Sequence, residues 1–101
     1  NTREVKRELR FQSRARRDLE RLNTFLAEKN ASAAERALET ILSAVASLDE
    51  FSDRGAPSGR RGLRKLIAPF GRAAYVVHYR VEQRTVVIIR VFHSLEDRPL
   101  A

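Results

Sequence analysis

From Thr85 to Phe92 the chain is almost continuously apolar: Val86, Val87, Ile88, Ile89, Val91 and Phe92 are broken only by Arg90. A run of this length, rich in β-branched residues, is a strand, and apolar side chains at odd and even positions alike mean that it is covered on both faces. It must therefore lie inside a sheet. A guanidinium in the middle of such a strand needs a partner or an open cleft, because burying an unpaired charge is costly.

The remaining pattern supplies what such a strand needs. Residues 5–11 alternate, with Val5, Leu9 and Phe11 on one side, which predicts a half-buried strand. Ser13 has the character of a helix N-cap, and Ala15, Leu19, Leu22 and Leu26 mark an amphipathic helix over 13–29 whose other face carries Arg14, Arg16, Arg17 and Arg21. Asn30 ends it. Ser32 with Glu35 forms a capping-box pattern for a second helix over 32–50, striped by Ala34, Leu38, Ile41, Leu42, Val45 and Leu48. So short a link makes the two helices an antiparallel hairpin. The segment 51–61 is rich in Ser, Asp, Gly, Pro and Arg and reads as a loop. Strands follow at about 63–68, 73–81 and 85–92, the last two as a hairpin through Glu82–Arg84, and a polar tail covers 95–101. The order β-α-α-β-β-β predicts one α+β domain over 1–101, with a helical hairpin packed on a small, mostly antiparallel sheet.

Composition narrows the function classes. A chain of 101 residues with 43% apolar side chains suits one small core. No apolar run approaches the ~18 residues of a membrane span, so no membrane role is expected. The absence of Cys excludes disulfides, thiol catalysis and Cys-ligated zinc, and fits a cytoplasmic setting. With 2 His, a multi-His metal site within the chain is not expected, and no cofactor is implied. Lys+Arg number 20 against 13 Asp+Glu, a net charge of +7 weighted towards Arg, which points to anionic partners. A plain nucleic-acid-binding module would also carry such a charge, but no helix-turn-helix, RNA-recognition or zinc-finger pattern accompanies it.

Phosphate-loop, nucleophile-elbow, zinc-protease and EF-hand patterns are absent. What stands out is Arg on the strands: Arg64, Arg72, Arg80 and Arg90. His93 closes the last strand, either as a hydrogen-bonded structural residue or as a general acid/base. His78, in mid-strand with Val76 and Arg80 on its face, reads as structural.

Four segments, taken in order, resemble a known family: Ser13-Arg14-Ala15-Arg16-Arg17-Asp18-Leu19 at the first helix, Gly62-Leu63-Arg64, Tyr79-Arg80-Val81, and Arg90-Val91-Phe92-His93. With this spacing the chain is similar, from about Arg7 to Asp97, to the ParE/RelE superfamily of bacterial toxins from type II toxin–antitoxin pairs. The resemblance implies the same β-α-α-β-β-β fold and a cognate, ParD/RelB-like antitoxin that wraps and silences the toxin, with operator DNA contacted only through the antitoxin complex. It also implies one of two actions. ParE-like members poison DNA gyrase by binding and do no chemistry; Arg64, Arg80, Arg90 and His93, with the tail to Arg98, would then be target contacts. RelE-like members are metal-independent, ribosome-dependent endoribonucleases of messenger RNA; Arg64, Arg72 and Arg90 would then hold phosphates and His93 would move protons. Gly-x-Arg, Tyr-Arg-Val and Arg-Val-Phe-His with an acidic residue shortly after look more like the ParE branch, although Phe92 stands where an aliphatic residue is commoner. In a regular strand Arg90 and His93 point to opposite faces, and the chain has no C-terminal Tyr and no Lys-rich segment before the sheet. A gyrase poison is therefore expected, with a messenger-RNA nuclease or an inactive member as the alternatives.

Overall fold

The structure, a computed structural model, describes residues 6–96. Strand β1 (Glu8–Phe11) leads into helix α1 (Ser13–Lys29) and helix α2 (Ala31–Ala46), which a single 3-10 turn, Ser47–Asp49, extends. The strands β2 (Ala56–Pro57), β3 (Arg64–Phe70), β4 (Ala73–Val81) and β5 (Thr85–His93) follow. They form one sheet in the order β1-β5-β4-β3-β2, antiparallel except for the β1–β5 pair. The helical hairpin packs on one face, and its Ala15, Leu22, Ala37, Ile41 and Val45 meet Leu66, Tyr75, Val77, Val86, Ile88 and Val91 from the sheet. The fold is thus the α+β arrangement expected from the sequence. Val5 and the tail from Asp97 onward lie outside the described residues.

Local chemistry shifts several boundaries. Asn30 serves both helices: its N–H donates to the Leu26 carbonyl at 2.7 Å, closing α1, and its side chain accepts from the Ala33 N–H at 3.0 Å, opening α2. Ser32 is therefore inside α2 and not its cap, and its hydroxyl accepts from Arg36 at 2.7 Å. Ser13 is likewise inside α1. The cap position belongs to Gln12, whose N–H is still engaged with Ile88 O at 3.0 Å, so the chain passes from strand pairing into the helix without an intervening residue. Strand β3 runs past the expected end, through Pro69, to Phe70. Proline is tolerated there because β2 pairs only with Arg64 and Lys65, leaving β3 as an edge at Pro69. Gly71, at φ +63, makes the turn into β4.

A bulge interrupts the β4–β5 pairing. His78 pairs with Arg90 but Tyr79 pairs with Ile88, so Ile89 has no partner. Val86 and Ile88 face the helices. Simple alternation would place Arg90 next in the core; the extra residue hands that position to Val91. One inserted residue thus lets an Arg occupy a strand buried on both sides.

The loop expected over 51–61 is irregular apart from the two residues of β2, and Tyr79 pins it. The fully buried Tyr79 hydroxyl accepts from the Gly55 N–H and donates to the Ser52 carbonyl, each at 2.9 Å. A Cβ on Gly55 would meet Lys65 O at 2.6 Å and the Tyr79 hydroxyl at 2.8 Å, so only glycine fits. We expect Tyr79→Phe, which leaves both buried backbone groups without their partner, to lose about 1–3 kcal/mol in urea unfolding. Gly55→Ala should also destabilise, by forcing loop and sheet apart.

Candidate functional site

Asp18 is the centre of the polar structure. It lies three residues after Ala15 and four before Leu22, on the apolar stripe of α1, and it is 2% exposed. β1 ends opposite Ile88, so beyond that point the edge of β5 has no strand beside it. Asp18 takes that place. Its Oδ2 accepts from the Val91 N–H at 2.8 Å and from Arg90 Nε at 2.8 Å, and its Oδ1 accepts from Arg90 Nη2 at 3.1 Å. Arg21 Nη1 adds a fourth bond to Oδ1 at 2.6 Å. Arg90 is thereby held side-on by two bonds, and its guanidinium also stacks 4.6 Å from the centre of the Phe92 ring. Burial works against the charge on Asp18, but Arg90, the Val91 N–H and Arg21 outweigh it and hold the carboxyl below the usual carboxylate range.

Arg21 extends this network to the end of the sheet. Its Nε and Nη2 donate to the Glu96 carboxylate, each at 3.0 Å. Burial pulls the Arg21 pKa down, yet Glu96 and Asp18 together carry it above its usual value, so the group is a permanent cation. Glu96 also accepts from the His93 N–H at 3.0 Å. The His93 ring accepts at Nδ1 from the Leu95 N–H at 3.1 Å. The ring stands edge-on to Tyr75, with centroids 5.3 Å apart. Burial, with Glu96 nearby, raises the Tyr75 phenol above its usual range.

Beside this network is a groove of about 430 Å³, lined by Leu22, Phe25, Leu26, Tyr75 and Leu95, with Arg21, His93 and Glu96 at its rim. Phe25 is 56% and Leu95 82% exposed, so the groove presents uncovered apolar surface.

The residues singled out from the sequence do not converge. Arg64 opens β3, and its Nε donates to Gly55 O at 3.1 Å while Nη2 reaches Asp53 O at 3.0 Å; it latches the loop. Arg80 pairs with Glu82 at 2.9 Å. Both lie towards the Tyr79 end of the sheet, roughly 13 Å along the strands from the Tyr75–His93 level at 3.3 Å per residue. Arg72 is exposed on the β3–β4 turn, near the His93 end. Arg90 and Phe92 face away from the core side that holds Val91, as strand alternation requires after the bulge. His78 is buried, with its ring edge-on to Phe92 at 5.8 Å. Sequence reasoning missed Asp18 as the partner of Arg90. The signal was present: a carboxylate on the apolar stripe of a helix has to be paired.

Comparison with known proteins gives this fold a family. The family model described as the ParE toxin of type II toxin–antitoxin systems, parDE, matches residues 9–98. The chain belongs to the ParE/RelE superfamily of toxins. Among curated proteins, the toxin is 45% identical over 85 residues to Toxin RelE3 of Caulobacter vibrioides, covering 84% of this chain and 91% of the relative. It is 39% identical over 85 residues to Toxin RelE1 of the same organism, with 84% and 90% covered. Among solved structures, the chromosomal ParDE system from P. aeruginosa superposes with a TM-score of 0.74 at 23% identity, over 88% of this chain and 97% of that one. The toxin–antitoxin complex RelBE2 from Mycobacterium tuberculosis gives 0.63 at 30% identity, over 88% and 99%. No helix among the described residues is long and apolar enough to cross a membrane.

The Asp18 network carries a pH signature. A carboxyl whose folded pKa is depressed contributes stability that is present above its unfolded value, near 3.9, and lost as pH falls through the folded value. We expect the toxin to lose stability steeply below about pH 4. Asp18→Asn should remove its share of that slope and cost about 3–5 kcal/mol at neutral pH, because Arg90 loses its partner. Denaturant unfolding across the acid range checks both.

Proposed function

We propose that this toxin acts by binding, as a ParE-like poison of DNA gyrase, and that a cognate antitoxin silences it. The observation that favours this reading over a nuclease is the commitment of Arg90 and Arg64, which also takes both out of the gyrase contacts expected from the sequence. A nuclease needs cations standing free around a phosphate and a proton-moving group within reach of it. Here Arg90 is spent on Asp18, Arg64 on the 53–55 loop carbonyls, and His93 belongs to a different face from Arg90. The match of residues 9–98 to the ParE family model supports the same reading.

The apolar groove beside α1 suits an antitoxin segment. Burial of an amphipathic stretch against Phe25, Leu26 and Leu95 supplies affinity, and the net positive charge of the chain supplies steering for an acidic partner. The two neighbouring solved structures, ParDE and RelBE2, are themselves toxin–antitoxin systems.

A second reading keeps the RelE-like nuclease, because both curated relatives carry the RelE name. Here Arg72 and His93, both towards one end of the sheet, are the remaining candidates for phosphate contact and proton transfer.

A supercoiling assay separates the two. Antitoxin-free toxin is added to gyrase, ATP and relaxed plasmid. The gyrase reading predicts lost supercoiling and linear DNA that accumulates only with gyrase present. Unimpaired supercoiling by folded toxin, together with messenger cleavage on ribosomes that His93→Ala abolishes, would establish the nuclease instead.

A further inference from the structure

Towards the Tyr79 end of the sheet, away from the apolar groove, lies a polar cleft of about 410 Å³. Arg7, just before β1, and Arg64, at the start of β3, both line it together with Ser52. Arg7 is fixed in place: its N–H donates to Asp49 O at 2.8 Å, its Nε to Glu82 O at 2.9 Å and its Nη1 to the Ser52 hydroxyl at 2.9 Å. Arg64 is fixed through Nε and Nη2 on Gly55 O and Asp53 O. Every one of these acceptors is neutral, and neither arginine makes an ion pair among the described residues. Arg7 Nη2 and Arg64 Nη1 make no hydrogen bond among the described residues. Ser52 is 8% exposed, and its hydroxyl, already accepting from Arg7, has no acceptor there for its own proton.

Donors held in place without acceptors call for an oxyanion. A phosphate monoester offers three terminal oxygens to these three groups, and guanidinium forks fit them. The cleft has more room than inorganic phosphate needs and is the size of a small-ligand site. The rest of its lining indicates what else the ligand carries. Glu50 and Asp53 are exposed, and their carboxylates bind neither arginine. Beside a bound anion, carboxylates favour hydrogen-bond donors such as sugar hydroxyls. Phe51 is 58% exposed, an aromatic face open to a flat ring. Arg64 is latched too firmly to reach out to a large target, but a ligand small enough to enter the cleft brings its anion to the free Nη1.

We propose that this cleft binds a nucleoside monophosphate, with the phosphate on Arg7, Arg64 and Ser52, the ribose hydroxyls towards Glu50 and Asp53, and the base stacked on Phe51. Stacking reads a ring face, so every base is accepted. The antitoxin groove and His93 lie towards the Tyr75 end of the sheet. The cleft therefore stands apart from both, and its occupancy depends on neither the gyrase nor the nuclease reading.

The test is a calorimetric titration of the full chain with AMP, at physiological salt so that long-range attraction to the net charge of +7 is screened. UMP, adenosine and inorganic phosphate run in parallel. AMP and UMP should saturate one site. Adenosine should not bind, and inorganic phosphate should bind at least about tenfold more weakly than AMP. Arg7→Gln should weaken AMP binding at least about tenfold. Phe51→Ala, at an exposed position that the fold does not need, should weaken AMP about tenfold and leave inorganic phosphate unchanged, the factor expected for one base–aromatic stack. Arg60→Gln/Arg61→Gln, which removes two exposed charges between β2 and β3 outside the cleft, should bind AMP as the native chain does. Unsaturable AMP binding overturns the proposal, as does adenosine or inorganic phosphate binding as tightly as AMP. Native AMP affinity in Arg7→Gln or Phe51→Ala overturns it too. An equal loss in Arg60→Gln/Arg61→Gln assigns the binding to net charge and also overturns it. Should the thermal midpoint of Arg7→Gln show a lost fold, Phe51→Ala decides alone.

Discussion

The structure depends on one buried carboxylate. β5 is longer than its neighbour β1, and where β1 stops, the β5 edge would be left with an unpaired N–H and a half-buried guanidinium. Asp18 satisfies both at once, with Oδ2 on the Val91 N–H and the carboxylate across Arg90. The same group ties the first half of α1, shortly after the β1–α1 connection, to the sheet. Through Arg21 it also fixes Glu96, and through Glu96 the backbone at His93, so the end of β5 takes its conformation from a helix residue more than seventy positions earlier in the chain.

This sorts the arginines of a chain with a net charge of +7 into two populations. Arg21, Arg64 and Arg90 are internal fasteners, each holding a carboxylate or backbone carbonyls. Arg14, Arg16 and Arg17 are displayed, exposed and without an ion pair among the described residues. A fastener removed from the fold destabilises it, whereas a displayed cation can be removed with the fold intact. A charge count alone cannot tell the two apart.

Much of the architecture was legible because its signals are local and periodic. The apolar run of β5, the stripes of α1 and α2 and the short link between them are enough to lay a hairpin on a sheet. Arg90 was legible as a residue in need of a partner. Its partner was not found, although Asp18 on an apolar stripe poses the same question from the other side. The bulge at Ile89 was hidden, because a run with apolar side chains at odd and even positions alike obscures the parity that a bulge changes. The role of Arg64 was equally hidden, since it depends on Gly55 and Tyr79, which meet only in the folded chain. The helix caps moved, from Ser13 to Gln12 and from Ser32 to Asn30, for a similar reason: Gln12 is engaged by β5 and Asn30 caps both helices, and neither fact is local to the helix it starts.

Arg90 and Asp18 form one unit whose main work is to hold the fold. A double-mutant cycle measures this, with Asp18→Ala, Arg90→Ala and the double variant unfolded in urea. The double variant is expected to lose much less than the sum of the singles, a coupling of about 2 kcal/mol or more, as for a buried charge left without its partner. Additivity within about 0.5 kcal/mol would contradict it, and would return Arg90 to the set of residues free to meet a target.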